Sequence, residues 1–218
     1  MANSEISALA KSKKSCGRCG KKSRLYGVEY CNNCLKSVVE KRVRTSLKVA
    51  MGKFHSQSRL MQPQSAIKLN ILSDDRRSLD CAAALYLVKK ALAADFLLHV
   101  TVANPKEAAG AEKDAINILP QCSDDIATGL IRRFISRPQT SQQHANRLPK
   151  PINILESITE KELALYAGMK RIKYEKKNKD MLQQAVEKLQ EKHPGTVEAI
   201  ARSAAHLTEI EEGDKNEG

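Results

Sequence analysis

Residues 67–92 read IKLNILSDDRRSLDCAAALYLVKKAL. Ile67, Leu69, Ile71 and Leu72 make a short apolar strand, residues 73–78 a polar turn, and residues 79–92 an amphipathic helix. Such strand–turn–helix units are where α/β nucleotide-binding domains seat a phosphate on exposed helix amides. That seat needs glycines, so that the backbone can approach the phosphate closely. Here the turn is Ser73-Asp74-Asp75-Arg76-Arg77-Ser78, with no glycine and with two carboxylates where an anion would dock. The aspartates are suited to capping the helix themselves. The turn predicts a stable helix entry rather than a nucleotide seat, although Arg76 and Arg77 keep a phosphate contact open.

Outward from this unit, residues 96–103 (FLLHVTVA) read as a second strand. Strand, helix and strand in succession imply a right-handed parallel crossover, hence an α/β domain. On the intervening helix Cys81, Leu85, Val88 and Leu92 fall at i, i+4, i+7 and i+11, so Cys81 reads as a buried apolar residue. His99 packs or is solvated. Residues 105–119 read as a helix with Pro105 in its first turn, and residues 124–136 as another, with Cys122 isolated in the loop between. Residues 137–151 are polar and proline-punctuated. A capping box at Thr159 and Glu162 then opens a further helix. Residues 173–179 are lysine-rich but balanced by Glu175 and Asp180. Residues 179–192 and 194–207 read as two more amphipathic helices, and the acidic stretch from Glu209 as disordered.

Upstream, Cys16, Cys19, Cys31 and Cys34 form two C-x2-C knuckles separated by eleven residues, the spacing of a four-thiolate structural zinc site. Redox pairs or disulfides are the alternative, and a reducing cytosol disfavours lasting disulfides. Gly17 and Gly20 ease the first knuckle, and residues 24–30 between the knuckles suggest a short ribbon. The second knuckle runs into a helix at residues 35–51, with Leu35, Val38, Val39, Val43 and Leu47 as its apolar stripe. Its other faces carry Lys36, Lys41, Arg42, Arg44 and Lys48, followed by Lys53 and Arg59; His55 is read as incidental. Residues 11–59 hold fourteen Lys and Arg against Glu29 and Glu40, so the net charge of +12 is concentrated in the first quarter of the chain. A patch this lopsided is the electrostatic footprint of a polyanion-binding module. With no amphipathic aromatic or lipidation signal beside it, nucleic acid is favoured over an anionic membrane.

Length and composition set the outer bounds. A chain of 218 residues with three Phe, five Tyr and no Trp builds its core from Leu, Ile, Val and Ala. No apolar run approaches the roughly 20 residues that span a bilayer, and the first residues lack a signal peptide's apolar stretch. The expectation is a cytoplasmic protein with a flexible leader.

With these residues assembled, the chain resembles the non-catalytic subunit of the cytoplasmic tRNA 2-thiolation complex, the cytoplasmic tRNA 2-thiolation protein 2 family. The resemblance covers residues 16–92 and 158–207, including ITEKELALY and LQEKHPGTVEAIARSAAHL. The partner family carries an ATP-pyrophosphatase P-loop of the form S-G-G-x-D-S. Here Ser73 and Ser78 are kept, Asp74 and Asp75 replace the glycines, and Arg77 replaces the aspartate. Between the two regions the chain looks shortened, with no convincing third to fifth strand and no paired catalytic cysteines. The fold class expected is α/β: a zinc ribbon-like module, a reduced, degenerate ATP-pyrophosphatase-like domain with a parallel sheet, and a helix-rich C-terminal part. The divisions expected are a leader at residues 1–15, zinc module and basic helix at 16–59, reduced α/β domain at 60–136, linker at 137–157, helical part at 158–208 and tail at 209–218.

The resemblance implies a role in thiolating the wobble uridine of tRNAs, as a heterodimer with a sulfur-transferring, ATP-using subunit fed by a ubiquitin-like carrier. It implies structural zinc, no ATP, and no catalytic residue in this chain, a pseudoenzyme that grips tRNA through Lys36, Lys41, Arg42, Arg44, Lys48, Lys53 and Arg59. Two alternatives stand beside it. One is an active thiolase using Cys81 or Cys122 as sulfur acceptor, with ATP held by Arg76 and Arg77. The other is a stand-alone zinc-ribbon nucleic-acid protein.

Overall fold

The elements follow in chain order as α1 (Asn32–Gln57), β1 (Ile67–Leu72), α2 (Leu79–Leu92), β2 (Leu98–Ala103), β3 (Ile116–Leu119), α3 (Ser123–Ile135), β4 (Ile152–Asn153), α4 (Glu160–Lys170) and α5 (Met181–Lys192). A last helix, α6, is seen over residues 196–203. The computed structural model describes residues 15–23, 28–57, 67–92, 97–105, 115–136, 151–176 and 178–203. Residues 1–14 of the expected leader, the acidic tail, residues 24–27 of the ribbon, Arg59 and the side chains of Lys53 and His55 lie outside the described residues.

The four strands form one parallel sheet in the order β2-β1-β3-β4. The chain passes from β1 through α2 to β2 on one side, then returns to place β3 on the other side of β1. The carboxyl ends of β1 and β3 therefore flank a topological switch point, where α/β sheets open a crevice. The turn at residues 73–78 follows β1 at this point, and Cys122 with the start of α3 follows β3.

Two expectations are corrected here. The last residues of the segment read as a helix over 105–119 form β3, while residues 106–114 lie outside the described set. Ile116, Asn117 and Ile118 are all buried, so the strand shows no alternation to set it apart from a buried helix. Of the third to fifth strands read as missing, the third and fourth are present as β3 and β4; the described residues hold no fifth. β4 lies inside the stretch read as linker and is only two residues long, too short for any periodicity to mark it.

Ile67, Leu69 and Ile71 of β1, with Ile116 and Ile118 of β3, line one face of the sheet. They share a core with Leu35, Val39, Val43, Leu47 and Met51 of α1, Leu87 and Val88 of α2, and Leu163 and Tyr166 of α4. The stripe read along the basic helix is thus a core face, one turn longer than expected; Val38 lies beside it, half-buried. Across the sheet Thr101 donates to Asn70 Oδ1 at 2.5 Å and Asn70 Nδ2 to Asn117 Oδ1 at 3.2 Å, which gives the buried Asn117 carbonyl its donor. α4 opens with the expected capping box, Thr159 and Glu162 each accepting from the other's backbone amide, and ends at Arg171 with φ 54°. Among the described residues no helix is long and apolar enough to cross a membrane.

Candidate functional site

The four N-terminal cysteines converge. Their Sγ atoms all lie within 4.8 Å of one another, and Cys19 and Cys31 are 3.7 Å apart. Metal–thiolate bonds of about 2.3 Å in a tetrahedron put sulfurs about 3.8 Å apart, so the four fit a single ion. A four-iron cube holds its thiolates on outer corners and needs them spread wider. Hydrogen bonds build the knuckles: Cys16 N donates to Lys21 O, Gly20 N to Cys16 O, Gly17 N to Glu29 O and Leu35 N to Cys31 O. Gly20 adopts φ 69°, a conformation that favours glycine, whereas a side chain at Gly17 would meet only ordinary contacts. The Cys31 backbone amide helps hold the Cys16 thiol down to about 6, ready to be a thiolate, while the neighbouring sulfurs of Cys19, Cys31 and Cys16 push Cys34 up to about 12. Such crowding of thiolates is what a cation relieves.

Cys34 lies in the first turn of α1, so the site is continuous with the basic helix. Lys41, Arg44 and Lys48 are exposed on one face, and none has an ion-pair or hydrogen-bond partner among the described residues. Lys36 is half-buried. Arg42 points elsewhere: its Nη1 donates to Ser157 O at 2.7 Å and Glu162 Oε2 at 3.0 Å. Glu40, the one acid of α1, turns onto the body and accepts from Tyr166 Oη at 2.9 Å and Lys90 Nζ at 2.5 Å, with Lys170 Nζ at 3.4 Å.

The turn at the switch point is closed by its own side chains. Ser73 Oγ accepts from Asp75 N, Asp75 Oδ1 accepts from Arg77 N at 2.9 Å, and Asp75 O accepts from both Ser73 Oγ and Ser78 Oγ. The helix cap is Ser78, whose Oγ accepts from Cys81 N; the aspartates do not cap it. Asp74 is exposed and Asp75 is spent within the turn. Arg77 Nη1 meets Glu175 Oε1 at 2.6 Å, and Glu175 N donates to Arg77 O at 2.8 Å. The chain after α4 thereby lays its own carboxylate on the turn's arginine. Arg76 is exposed.

Cys122 is not isolated. Its thiol donates to Asp80 Oδ1 at 3.2 Å and Asp125 Oδ2 at 3.5 Å, joining the starts of α2 and α3. Burial, then the Asp125 charge, pushes Asp80 up to about 7; burial raises the Cys122 thiol well above its ordinary value. Asp124 Oδ2 accepts from Glu160 N at 2.6 Å, and burial raises its carboxyl to about 6. Sequence spacing could not reveal this cluster, because Asp80 and Cys122 lie 42 residues apart. Cys81 is buried in the core, its thiol also raised by burial.

No protein-family model matches the sequence, and no curated protein matches it by sequence. The structure is similar to that of the U34-tRNA thiolase NcsA from Methanococcus maripaludis, solved with its [4Fe-4S] cluster. The TM-score is 0.64 at 17% identity, over 91% of this chain and 89% of that one. The two share a fold. All six cysteines of the present chain are described, and outside the N-terminal four only Cys81 and Cys122 remain, both buried. These residues do not fit a [4Fe-4S] cluster.

Proposed function

We propose that this chain is a non-catalytic, tRNA-binding subunit of a cytoplasmic heterodimer that 2-thiolates the wobble uridine of tRNA. The observation that carries this reading is the turn after β1. On a fold shared with a U34-tRNA thiolase, the loop at the switch point has no glycine, and the amides of Asp75 and Arg77 are taken by Ser73 Oγ and Asp75 Oδ1. A triphosphate there would also have to displace Glu175 from Arg77 and sit beside Asp74. The thiols support the same reading. Nucleophilic cysteines are exposed thiolates in electropositive settings, whereas Cys81 is packed in the core and Cys122 is held between carboxylates. ATP use and sulfur transfer then fall to a partner subunit supplied by a ubiquitin-like carrier.

Cys16, Cys19, Cys31 and Cys34 would hold one zinc ion, which when bound pins the two knuckles together and neutralises thiolate charge. Beside it the exposed cations of α1 grip the sugar–phosphate backbone, giving affinity that falls steeply with salt and shows little base preference.

Affinity purification of the tagged chain followed by mass spectrometry should recover an ATP-pyrophosphatase-type thiolase. The purified chain alone, given ATP, a sulfur donor and unmodified tRNA, should leave uridine 34 unthiolated. Thiolation by the lone polypeptide would end this reading. RNA binding with no enzyme partner would instead favour the stand-alone module.

A further inference from the structure

The RNA-facing row on α1 has a head that the helix itself does not supply. Arg18, in the loop between Cys16 and Cys19, is exposed and donates from Nη1 to Ser37 Oγ at 3.0 Å. Ser37 lies one turn before Lys41 on the same helical face, and Arg44 and Lys48 continue that face at steps of three and four residues. The remaining residues of the face, Thr45, Val49 and Gly52, are exposed and carry no charge. Glu40 is drawn inward by Lys90, Lys170 and Tyr166. Arg42 is turned about 100° from Lys41 around the helix axis and is engaged by Glu162 and Ser157.

We infer that one phosphate-binding row runs from the first cysteine knuckle along α1, made of Arg18, Lys41, Arg44 and Lys48, with Arg42 left out of it as a residue that positions the helix. This rests on the proposed RNA-binding role and specifies its surface. The four cations are complementary to an RNA backbone because α1 presents no acid on this face, Glu29 lying beside Gly17 at the knuckle end, and a single strand of phosphates tracks such a line. The Arg18 end is set by the knuckle. Its backbone is fixed by Cys16 N to Lys21 O and Gly20 N to Cys16 O, and the four converging thiols would close that loop around an ion. Removing the metal therefore frees Arg18 from the row while Lys41, Arg44 and Lys48 stay on their helix.

The test is a filter-binding titration of the full chain with an in vitro transcribed tRNA over a range of salt, with metal content measured on each preparation. Arg18→Gln, Lys41→Gln, Arg44→Gln and Lys48→Gln should each lower the slope of log affinity against log salt by about 1, the signature of one lost phosphate contact. Arg42→Gln should leave the slope unchanged even where it weakens binding. Metal removal should lower the slope of the native chain by the same step and add nothing to Arg18→Gln. Arg18→Gln with full metal content and an unaltered slope overturns the inference, as does a slope lowered by Arg42→Gln. If none of the α1 substitutions alters the slope, the proposed RNA-binding role itself fails.

Discussion

Arg77 and Glu175 lie 98 residues apart in sequence and meet twice, through a 2.6 Å ion pair and a 2.8 Å bond from the Glu175 amide to the Arg77 carbonyl. Glu175 holds the Arg77 guanidinium's pKa above its ordinary value and occupies one of the turn's two arginines, Arg76 being the other. Isothermal titration of the chain with magnesium ATP should give no saturable heat. Glu175→Ala should not create a site, because Asp75 still holds the Arg77 amide. Micromolar binding by either protein would show that the seat is open.

Arg42 is the counter-ion of a carboxylate that is only 7% exposed and also closes the capping box of α4. Removing one member of such a pair strands the other charge away from water. Arg42→Met should lower unfolding free energy by about 2 kcal/mol, read from urea melts. The double variant with Glu162→Gln should recover part of that loss, since the stranded charge is gone. A fully additive double variant would mean the two side chains are not coupled.

Asp80 gives a pH signature. Its carboxyl is pushed from 3.8 to about 7, chiefly by burial and then by Asp125. Because the folded state binds the proton more tightly, the favourable contribution is complete below pH 3.8 and is lost as pH rises towards 7. Asp80→Asn removes that titration. The variant should therefore gain thermal stability relative to the native chain as pH increases, by a few degrees in Tm at pH 8 and by little at pH 4. A difference in Tm that is flat across this range would contradict the ionisation of a buried carboxyl there.

The proposed single-ion site can be checked by metal content. The purified chain should carry one zinc per polypeptide, no iron and no visible absorption band. Strong chelation should melt the knuckles and release protons on reloading, as thiols give up hydrogen to the ion. Four irons per chain, or a charge-transfer band, would contradict the single-ion geometry of the Sγ atoms.

The strand–turn–helix at residues 67–92 was legible because its apolar spacing changes from two to near four within one segment, and the structure places β1 and α2 there. The box at Thr159 and Glu162 was legible because capping is local chemistry. β3 was not, since a strand buried on both faces carries no alternating pattern, and β4 offers only two residues. The site was readable in the same proportion. Cysteine spacing announces the four-thiol cluster, whereas Arg18 joins the α1 face only through a contact with Ser37 across 19 residues. The inward engagement of Arg42 depends on Glu162, 120 residues downstream, and no periodicity in α1 separates it from Lys41 or Arg44.

The inward turn of Glu40 has an electrical consequence. α1 contains a single acid, and three donors from α2 and α4 hold it on the side facing the protein. The outer flank keeps its positive side chains, so the cylinder is polarised across its width as well as along its length. In the field of a distant polyanion this sideways moment would exert a torque, turning the positive flank forward before any atom touches. Encounter would then begin already oriented, and its rate would fade as added ions shorten the reach of that field.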